Sequence, residues 1–288
     1  MTKTNQQKVK DFLINNGVII VMFILVIYTG FTSDNFFTKN NFMNILMNMS
    51  SRLVIALGIA GCVITAGCDL SAGRMIGFGA CISGMLLQRM DYSGKFFPDM
   101  QPLNVFVVAL IAMLVCAAFG TVTGFFIAYL NVPPFIATLA MMEIVYGIGL
   151  IVTNATPLGG YVEQYTNVSN GKFLGINYLI WIAIIVAAIT WFIFNMTRHG
   201  KYMYAIGGNP QAAEVAGVPV KATLILIYMK AAAMYGLAGF MLGAKAGGAS
   251  VQTGYGYEME AIAACTIGGV SVTGGRGKVS SAIIGVAV

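Results

Sequence analysis

Charged residues are scarce in this chain. Only 9% of its 288 residues are Asp, Glu, Lys or Arg, whereas roughly a quarter of an ordinary soluble domain is charged. Hydrophobic residues make up 58%, and a soluble fold of that composition would have too few charges for its surface. The shortage of charge therefore excludes a soluble globular domain and predicts a membrane protein with several spans.

The chain also lacks the side-chain groupings that catalysis and metal binding need. Its one histidine, His199, lies in a basic polar stretch, where a solvated base is expected. Its five cysteines show no Cys-x-x-Cys spacing, so neither a metal site nor a disulfide is predicted. After Gly277 and Lys278 stands Val279, where a phosphate-binding loop needs a Ser or Thr hydroxyl for magnesium. A membrane enzyme is therefore disfavoured, and ATP-driven transport would require a separate ATPase.

The apolar segments predict an all-α polytopic membrane protein with about 8 to 10 transmembrane helices, some of them broken or re-entrant. The first segment, Val18 to Tyr28, follows a basic stretch without a small-residue cleavage site and is predicted to remain as an uncleaved span. The others lie at roughly 43–66, 75–90, 103–130, 134–153, 178–196, 221–244 and 257–270, and a last one opens near Val279. Segments 75–90 and 257–270 are shorter than the roughly 20 residues that cross hydrocarbon.

The distribution of basic residues predicts the orientation. Counting crossings from a cytoplasmic N-terminus leaves the stretch 201–221 in the cytoplasm after six spans. The basic residues on that side show the positive-inside bias, and they are Lys3, Lys8, Lys10, Arg198, Lys201 and Lys221. The polar loops 91–102 and 154–177 would then face a soluble partner outside. Because the basic residues are scattered in short loops, the net charge of +6 does not indicate a nucleic-acid partner.

The longest polar stretch of the C-terminal half, residues 201–221, predicts a short capped helix. Asn209 suits the N-cap, Pro210 the first helical position and Gly217 the left-handed position after the last turn. The helix is about six or seven residues long, marginal alone in water, and has a small apolar face. It is either a connector on the membrane surface or a docking helix for another protein. The candidate docking segment is Asn209, Pro210, Gln211, Ala212, Ala213, Glu214, Val215, Ala216 and Gly217.

The segment AIGGNPQAAEVAGV (205–218) resembles the cytoplasmic coupling segment of permeases from sugar-importing ABC transporters of the ribose/galactose type. RLVIALGIAGCVITAGCDLSAGR (52–74), AYLNVPPFIATLAMMEIVYG (128–147) and EMEAIAACTIGGVSVTGGRG (258–277) also resemble that family, in the same order, and look most similar to its galactose/methyl-galactoside branch. One departure stands in the coupling segment: the family usually has an acidic residue before the two alanines, where this chain has Gln211.

The resemblance implies one permease domain over residues 1–288, with a cytoplasmic coupling segment at 197–221. Two copies would form the path for a monosaccharide, galactose, methyl galactoside or a similar sugar. An ABC ATPase subunit would use ATP and Mg while this chain binds no cofactor, and a soluble sugar-binding protein would deliver the sugar from outside. The chain would lie in the inner membrane of a bacterium with its N-terminus in the cytoplasm. It stops at Val288 within an apolar run, so one or more C-terminal spans are expected to be missing.

The residues alone leave a second function open, a stand-alone sugar carrier driven by an ion gradient. Polar and ionisable groups at membrane depth are candidates for the translocation path in either case, because burying an unpaired charge there costs at least about 2.5 to 3.5 kcal/mol. These candidates are Asp69, Ser71, Arg74, Glu143 and Lys230.

The candidate path residues suggest specific pairings. Asp69 and Arg74 are expected to form an ion pair beside a helix break; alternatively, Asp69 and Ser71 offer acceptors and a donor to a sugar. Glu143 and Lys230 are hypothesised to form a second pair. Glu258 and Glu260 precede a short apolar segment and are expected in the first turn of a helix, where the helix dipole favours them.

One internal match predicts a possible two-fold repeat. AGCDLSAGR (66–74) aligns with GGVSVTGGR (268–276), which would mark two equivalent helix breaks, although a match this short also arises by chance. The crossing count leaves the two copies facing the same way, and a further break within 103–130 would invert them.

Glycines spaced by four, such as Gly120 and Gly124, predict close helix packing.

Reporter fusions test the predicted orientation. A fusion at Asn209 should report the cytoplasm, and fusions at Asp99 and Asn167 should report the outer side, because the loop charges favour this topology. The opposite result at any of the three sites would contradict the crossing count.

Overall fold

The computed structural model describes residues 17–33 and 35–288, so the predicted contributions of Lys3, Lys8 and Lys10 lie outside the described residues. The described chain confirms an all-α architecture with one short antiparallel hairpin, β1 (Lys172–Phe173) and β2 (Ile176–Asn177). The helices are α1 (Gly17–Thr32), α2 (Lys39–Ile64), α3 (Ala72–Leu86), α4 (Val105–Tyr129), α5 (Pro134–Thr153), α6 (Glu163–Asn170), α7 (Tyr178–Met196), α8 (Arg198–Gly208), α9 (Pro210–Val215), α10 (Val220–Ala246), α11 (Tyr257–Ile267) and α12 (Val279–Ala287).

Five of these helices, α2, α4, α5, α7 and α10, are long and apolar enough to cross a membrane, by length and composition. Helix α3 has 15 residues and α11 has 11. At 1.5 Å per residue, α3 covers about 22 Å of a hydrocarbon layer about 30 Å thick. The short segments predicted at 75–90 and 257–270 are therefore confirmed as short helices. Helix α4 is continuous, so the additional break considered within 103–130 does not occur.

Helix α10 lies at the centre of the bundle and packs against α4, α3 and α2. Its contact with α4 is backbone against backbone. A side-chain carbon at Gly124 would lie 2.7 Å from the Cα of Ile225, and one at Gly236 would overlap the carbonyl of Ala112. Gly120 packs against the same helix. The close packing predicted from the glycine spacing is confirmed, because no larger residue fits at these positions.

Helices α2 and α10 run antiparallel. Gly61, near the end of α2, packs on Ile227 near the start of α10, whereas Asn48, near the start of α2, accepts a hydrogen bond from Lys245 near the end of α10. Both α2 and α10 are followed by an irregular segment and then by a short helix. We call α2, residues 65–71 and α3 the first unit, and α10, residues 247–256 and α11 the second unit. The two units share one order of elements and run in opposite directions, as in inverted-repeat transporters.

The sequence match behind the predicted repeat does not identify these two units. Residues 66–74 lead into α3, whereas residues 268–276 follow α11, so the two matched segments occupy different positions in their units. The segment that corresponds to 65–71 by element order is 247–256. The alignment of 66–74 with 268–276 is therefore wrong. The repeat consists instead of the shared order of a long helix, an irregular segment and a short helix.

Three connections meet at one end of the bundle. Gln88, after α3, forms a β-bridge with Tyr161, and Leu158 forms another with Ala249, after α10. The Gln88 side chain also donates to the carbonyl of Gly159 at 3.0 Å. Backbone pairing therefore ties the loop after α5 to the ends of α3 and α10.

The glycine packing of α10 can be tested with a matched pair. Gly236→Ala should lower the melting temperature of the detergent-solubilised protein, because overpacking at a backbone contact costs about 1 to 3 kcal/mol. Gly147→Ala, at a helical position with nothing within 4 Å, should leave it equal or higher, since alanine favours a helix over glycine by up to about 1 kcal/mol. Equal melting temperatures for the two variants would contradict the backbone contact between α4 and α10.

Candidate functional site

The first irregular segment, residues 65–71, is organised around the buried carboxylate of Asp69. The Ser71 backbone N–H and hydroxyl both donate to Asp69 Oδ1, at 3.0 and 2.6 Å. The Tyr235 hydroxyl donates to Oδ2 at 3.1 Å. Tyr235 lies near the midpoint of α10, so Asp69 sits deep within the bundle with both oxygens satisfied. The expected ion pair between Asp69 and Arg74 is therefore wrong.

Arg74 instead points at the second unit. Its guanidinium lies between two aromatic rings, 3.9 Å from the centroid of Tyr146 and 4.3 Å from that of Tyr255. It donates to Gln252 Oε1 at 2.7 Å, and the Gln252 amide donates to the Tyr146 hydroxyl at 3.1 Å. Arg74 is only 9% exposed. This cluster joins α3, α5 and residues 247–256, and we call it the arginine cluster.

Sequence reasoning found Arg74 but missed Tyr146, Gln252 and Tyr255. These three residues lie far along the chain from Arg74, and nothing in their local spacing indicates that they meet. The pattern that would have helped is a polar segment after a long apolar one, since residues 247–256 interrupt an apolar region as residues 65–71 do.

A second charged group lies where the units meet. Arg52, in the middle of α2, forms an ion pair with Glu260 with 3.4 Å between Nε and Oε2, and both side chains are about half exposed. Glu258 and Glu260 both lie in the first turn of α11, as predicted. The Glu258 carboxylate accepts from the Gly256 backbone N–H at 3.1 Å. The helix start and the ion pair thus account for these two carboxylates.

The hypothesised pair of Glu143 and Lys230 does not form within the chain. Glu143 is exposed on α5, which packs on α3 and α4. Lys230 is half-buried and lines a small cavity between α2, α7 and α10, beside Gly61 and Phe194. No ion pair joins the two residues in the described part of the chain, because Lys230 lies on the side of α10 that faces α2 and α7, whereas Glu143 lies on α5, which packs on α3 and α4.

The short capped helix predicted within 209–217 is present as α9. The Asn209 side chain accepts from the Ala212 backbone N–H at 2.9 Å, which confirms the N-cap, and Gly217 adopts the left-handed conformation with φ of 81°. Ala213 is buried against the chain, whereas Val215 is 91% exposed. The remaining members of the predicted apolar face, Ala212 and Ala216, are also exposed. One alanine anchors the helix and its apolar face is left free.

His199 departs from expectation. Its ring is half-buried, and its Nε2 is buried without a hydrogen-bond partner in the described chain. Burial, and secondly the charge of Lys230, lower the pKa of His199 to about 4. The expected solvated base is therefore wrong, and His199 is neutral at pH 7. The basic residues around it in the sequence gave no sign of this burial.

The chain is thus a polytopic helical protein in which two inverted units meet through polar groups, which is the organisation of a membrane transport protein. The family described as "Branched-chain amino acid transport system / permease component" matches residues 41–288, and the chain belongs to this family.

Individual relatives agree with this assignment. The chain is 39% identical over 295 residues to the galactose/methyl galactoside import permease protein MglC of Escherichia coli K12, covering 100% of this chain and 88% of that protein. It is 41% identical over 295 residues to the protein of the same name from Haemophilus influenzae, with the same coverage. It is 32% identical over 280 residues to the ribose import permease protein RbsC of Escherichia coli K12, covering 96% and 84%. No solved structure matches the chain.

The predicted resemblance to ribose/galactose-type permeases is confirmed over the whole chain. The protein is a transport subunit and a multi-pass protein of the inner membrane.

The arginine cluster predicts that lysine cannot replace Arg74. A lysine ammonium cannot lie flat between two rings while it donates to Gln252, so Arg74→Lys should cost about 1 to 2 kcal/mol of stability. Arg89→Lys is the matched control, because Arg89 is about half exposed and its nearest carboxylate is Asp91 at 3.7 Å. Thermal unfolding of the solubilised protein measures both changes, and an equal effect of the two substitutions would argue against the cluster.

Proposed function

We propose that this chain is the membrane-spanning subunit of an ATP-driven ABC importer for a monosaccharide, with galactose or methyl galactoside as the substrate class. The observation that carries the proposal is the match over the full chain to proteins named as galactose/methyl galactoside import permeases. The inverted units and the free face of α9 are the structural features that such a subunit needs.

Helix α9 is the proposed docking site for the ATPase subunit. The helix is closed at both ends by its caps and held by Ala213, so it needs no other part of this chain to cover Ala212, Val215 and Ala216. A shallow apolar groove on a partner is the natural complement of such a face. In this assembly the ATPase subunit binds ATP and Mg, and this chain binds no cofactor. Glu214, exposed on the same helix, is the candidate for the acidic charge that Gln211 lacks.

A second copy of the chain completes the proposed translocation path. Glu143 is exposed on an apolar helix, and the ion pair of Arg52 and Glu260 is half exposed near the middle of α2. A charge facing lipid at that depth costs at least about 2.5 to 3.5 kcal/mol. These surfaces therefore face protein or water in the assembled importer. Asp69, Ser71, Arg74, Glu143 and Lys230 remain the proposed path residues.

The proposed orientation follows the loop charges. The N-terminus and α9 face the cytoplasm, where the ATPase subunit acts. The loops 91–102 and 154–177 face the outer side, where a soluble sugar-binding protein docks. The backbone bridges of Tyr161 and Leu158 give part of this outer surface a defined shape.

An ion-coupled carrier is the second candidate function. The observation in its favour is Asp69, a carboxylate buried deep in the bundle and hydrogen-bonded to Ser71 and Tyr235. Intramembrane acids of this kind serve as proton relays in carriers. Such a carrier would transport sugar without an ATPase.

Val215→Asp distinguishes the two functions. The substitution forfeits about 1.5 to 3 kcal/mol of apolar burial when Val215 is fully buried in the partner's groove, and it places a carboxylate there. At about 1.4 kcal/mol per tenfold, docking should weaken at least about tenfold. The importer therefore loses both the ATPase activity that co-purifies with the tagged chain and galactose uptake, at normal membrane abundance.

Asn131→Asp is the control for this experiment, because it adds the same charge to an exposed position of the loop between α4 and α5, which the crossing count places on the same side of the membrane. It should retain uptake and co-purified ATPase activity. Uptake that survives in Val215→Asp without ATPase activity would support the ion-coupled carrier. Retention of both activities in Val215→Asp would show that α9 is a connector.

A further inference from the structure

We propose that a backbone contact between Gly207, Gly275 and the carbonyl of Ile64 transmits movements of α9 to both inverted units. We call these three residues the glycine junction. The proposal rests on the proposed function, in which α9 carries the ATPase subunit. It adds the route by which a movement of α9 reaches the deep parts of the bundle.

The first part of the route is the one-residue connection of α9 to α8. One residue, Asn209, belongs to both helices: its backbone N–H donates to the Ala205 carbonyl at 3.0 Å, and its side chain caps α9. Two side chains of α8, Met203 and Ile206, are buried in the bundle. A displacement of α9 is therefore passed to the last turn of α8, which contains Gly207.

The second part is the contact of that turn with the rest of the chain. A side-chain carbon at Gly207 would overlap the carbonyl oxygen of Ile64 and lie 2.5 Å from the nitrogen of Gly275. The Gly275 N–H donates to the same Ile64 oxygen at 2.8 Å. No side chain lies between the three backbones, and close-packed groups transmit displacement because they cannot compress.

On one side the glycine junction leads to the first unit. Ile64 is the last residue of α2, and its carbonyl is one of those that a helix end leaves unpaired. The turn that follows is closed by hydrogen bonds from Ala66 to Val63 and from Gly67 to Cys62, both at 2.9 Å. Ala66 is left-handed, with φ of 57°, a conformation that is unfavourable for alanine. Asp69 follows three residues later, so the junction lies at the base of the first irregular segment.

On the other side the glycine junction leads to the second unit. Gly275 belongs to the loop that joins α11 to α12, and the Tyr204 hydroxyl of α8 donates to the Gly277 carbonyl of this loop at 2.9 Å. A movement of α8 therefore acts at once on the start of the first irregular segment and on the loop that follows α11, the last helix of the second unit. That is what a transport cycle needs when the two units must rearrange together.

Two neighbouring glycines give a matched experiment. Gly207→Ala places a methyl group inside the glycine junction, whereas Gly208→Ala places one where nothing lies within 4 Å. Each variant is expressed at full length, purified with its co-purifying ATPase and reconstituted in vesicles. The measurement is labelled galactose taken up per ATP hydrolysed. Gly207→Ala should retain co-purified ATPase activity but lose at least about tenfold in this ratio, while Gly208→Ala should match the wild type.

Two further variants separate a loss of coupling from a loss of stability or of membrane insertion. Gly236→Ala disturbs packing away from the glycine junction and should lower stability without changing the ratio. If Gly207→Ala fails to insert, Tyr204→Phe decides, because it removes only the hydrogen bond to Gly277; the ratio should fall, and an unchanged ratio would overturn the proposal. Equal ratios for Gly207→Ala and Gly208→Ala would also overturn it. Wild-type uptake that needs no ATP would refute the proposed function itself, and the junction's role with it.

Discussion

Backbone groups that leave helical geometry inside a membrane must find partners within the protein, because hydrocarbon offers none. The fold meets this constraint at two places, residues 65–71 and 247–256. The long helix α10 covers the first segment, with Tyr228 packed on Gly67 and Tyr235 bonded to Asp69. Helix α3, buried from Ala72 to Met85, covers much of the second. Each unit therefore provides the cover for the other's irregular segment, and neither is stable in a membrane alone.

The same constraint explains where the glycines lie. Gly73 and Gly77 of α3 face the backbone of residues 251–254, and a side chain at either position would come within 3 Å of a carbonyl there. The irregular segment can lie against α3 only because these positions have no side chain. Close approach then brings Arg74 within reach of Gln252, so the polar contact between the units depends on a packing contact.

Much of this organisation follows from the sequence, because it depends on local patterns. Hydrophobic length predicts the long helices, and the shortness of 75–90 and 257–270 predicts that α3 and α11 are shorter than a full span. Asn209, Pro210 and Gly217 predict α9, since capping acts within one turn. Glu258 and Glu260 are placed correctly for the same reason.

The errors about individual side chains arise because their actual neighbours lie far along the chain. Asp69 and Arg74 are five residues apart, but a helix begins between them, so their side chains leave the backbone in unrelated directions. Arg74 finds its partners on α5 and residues 247–256, and no pattern around position 74 contains that information. The basic residues beside His199 in the sequence predict a solvated side chain, but the packing of α8 removes the ring from water. The repeat was misaligned because glycine-rich turns resemble one another wherever they occur.

The chain contains two kinds of glycine contact, and they differ in the movements that they permit. Between α4 and α10 the glycines lie within continuous helices, and their contact fixes two rods against each other along much of their length. Gly207 lies in the last turn of α8 and Gly275 in the loop after α11, and their contact joins three segments at a single point. A long contact between rods resists sliding, whereas a point contact at the ends of segments lets them pivot while force still passes through it. In the proposed importer this arrangement would separate the part of the bundle that holds its shape from the part that moves, and the second part would lie directly behind α9, whose apolar face is exposed.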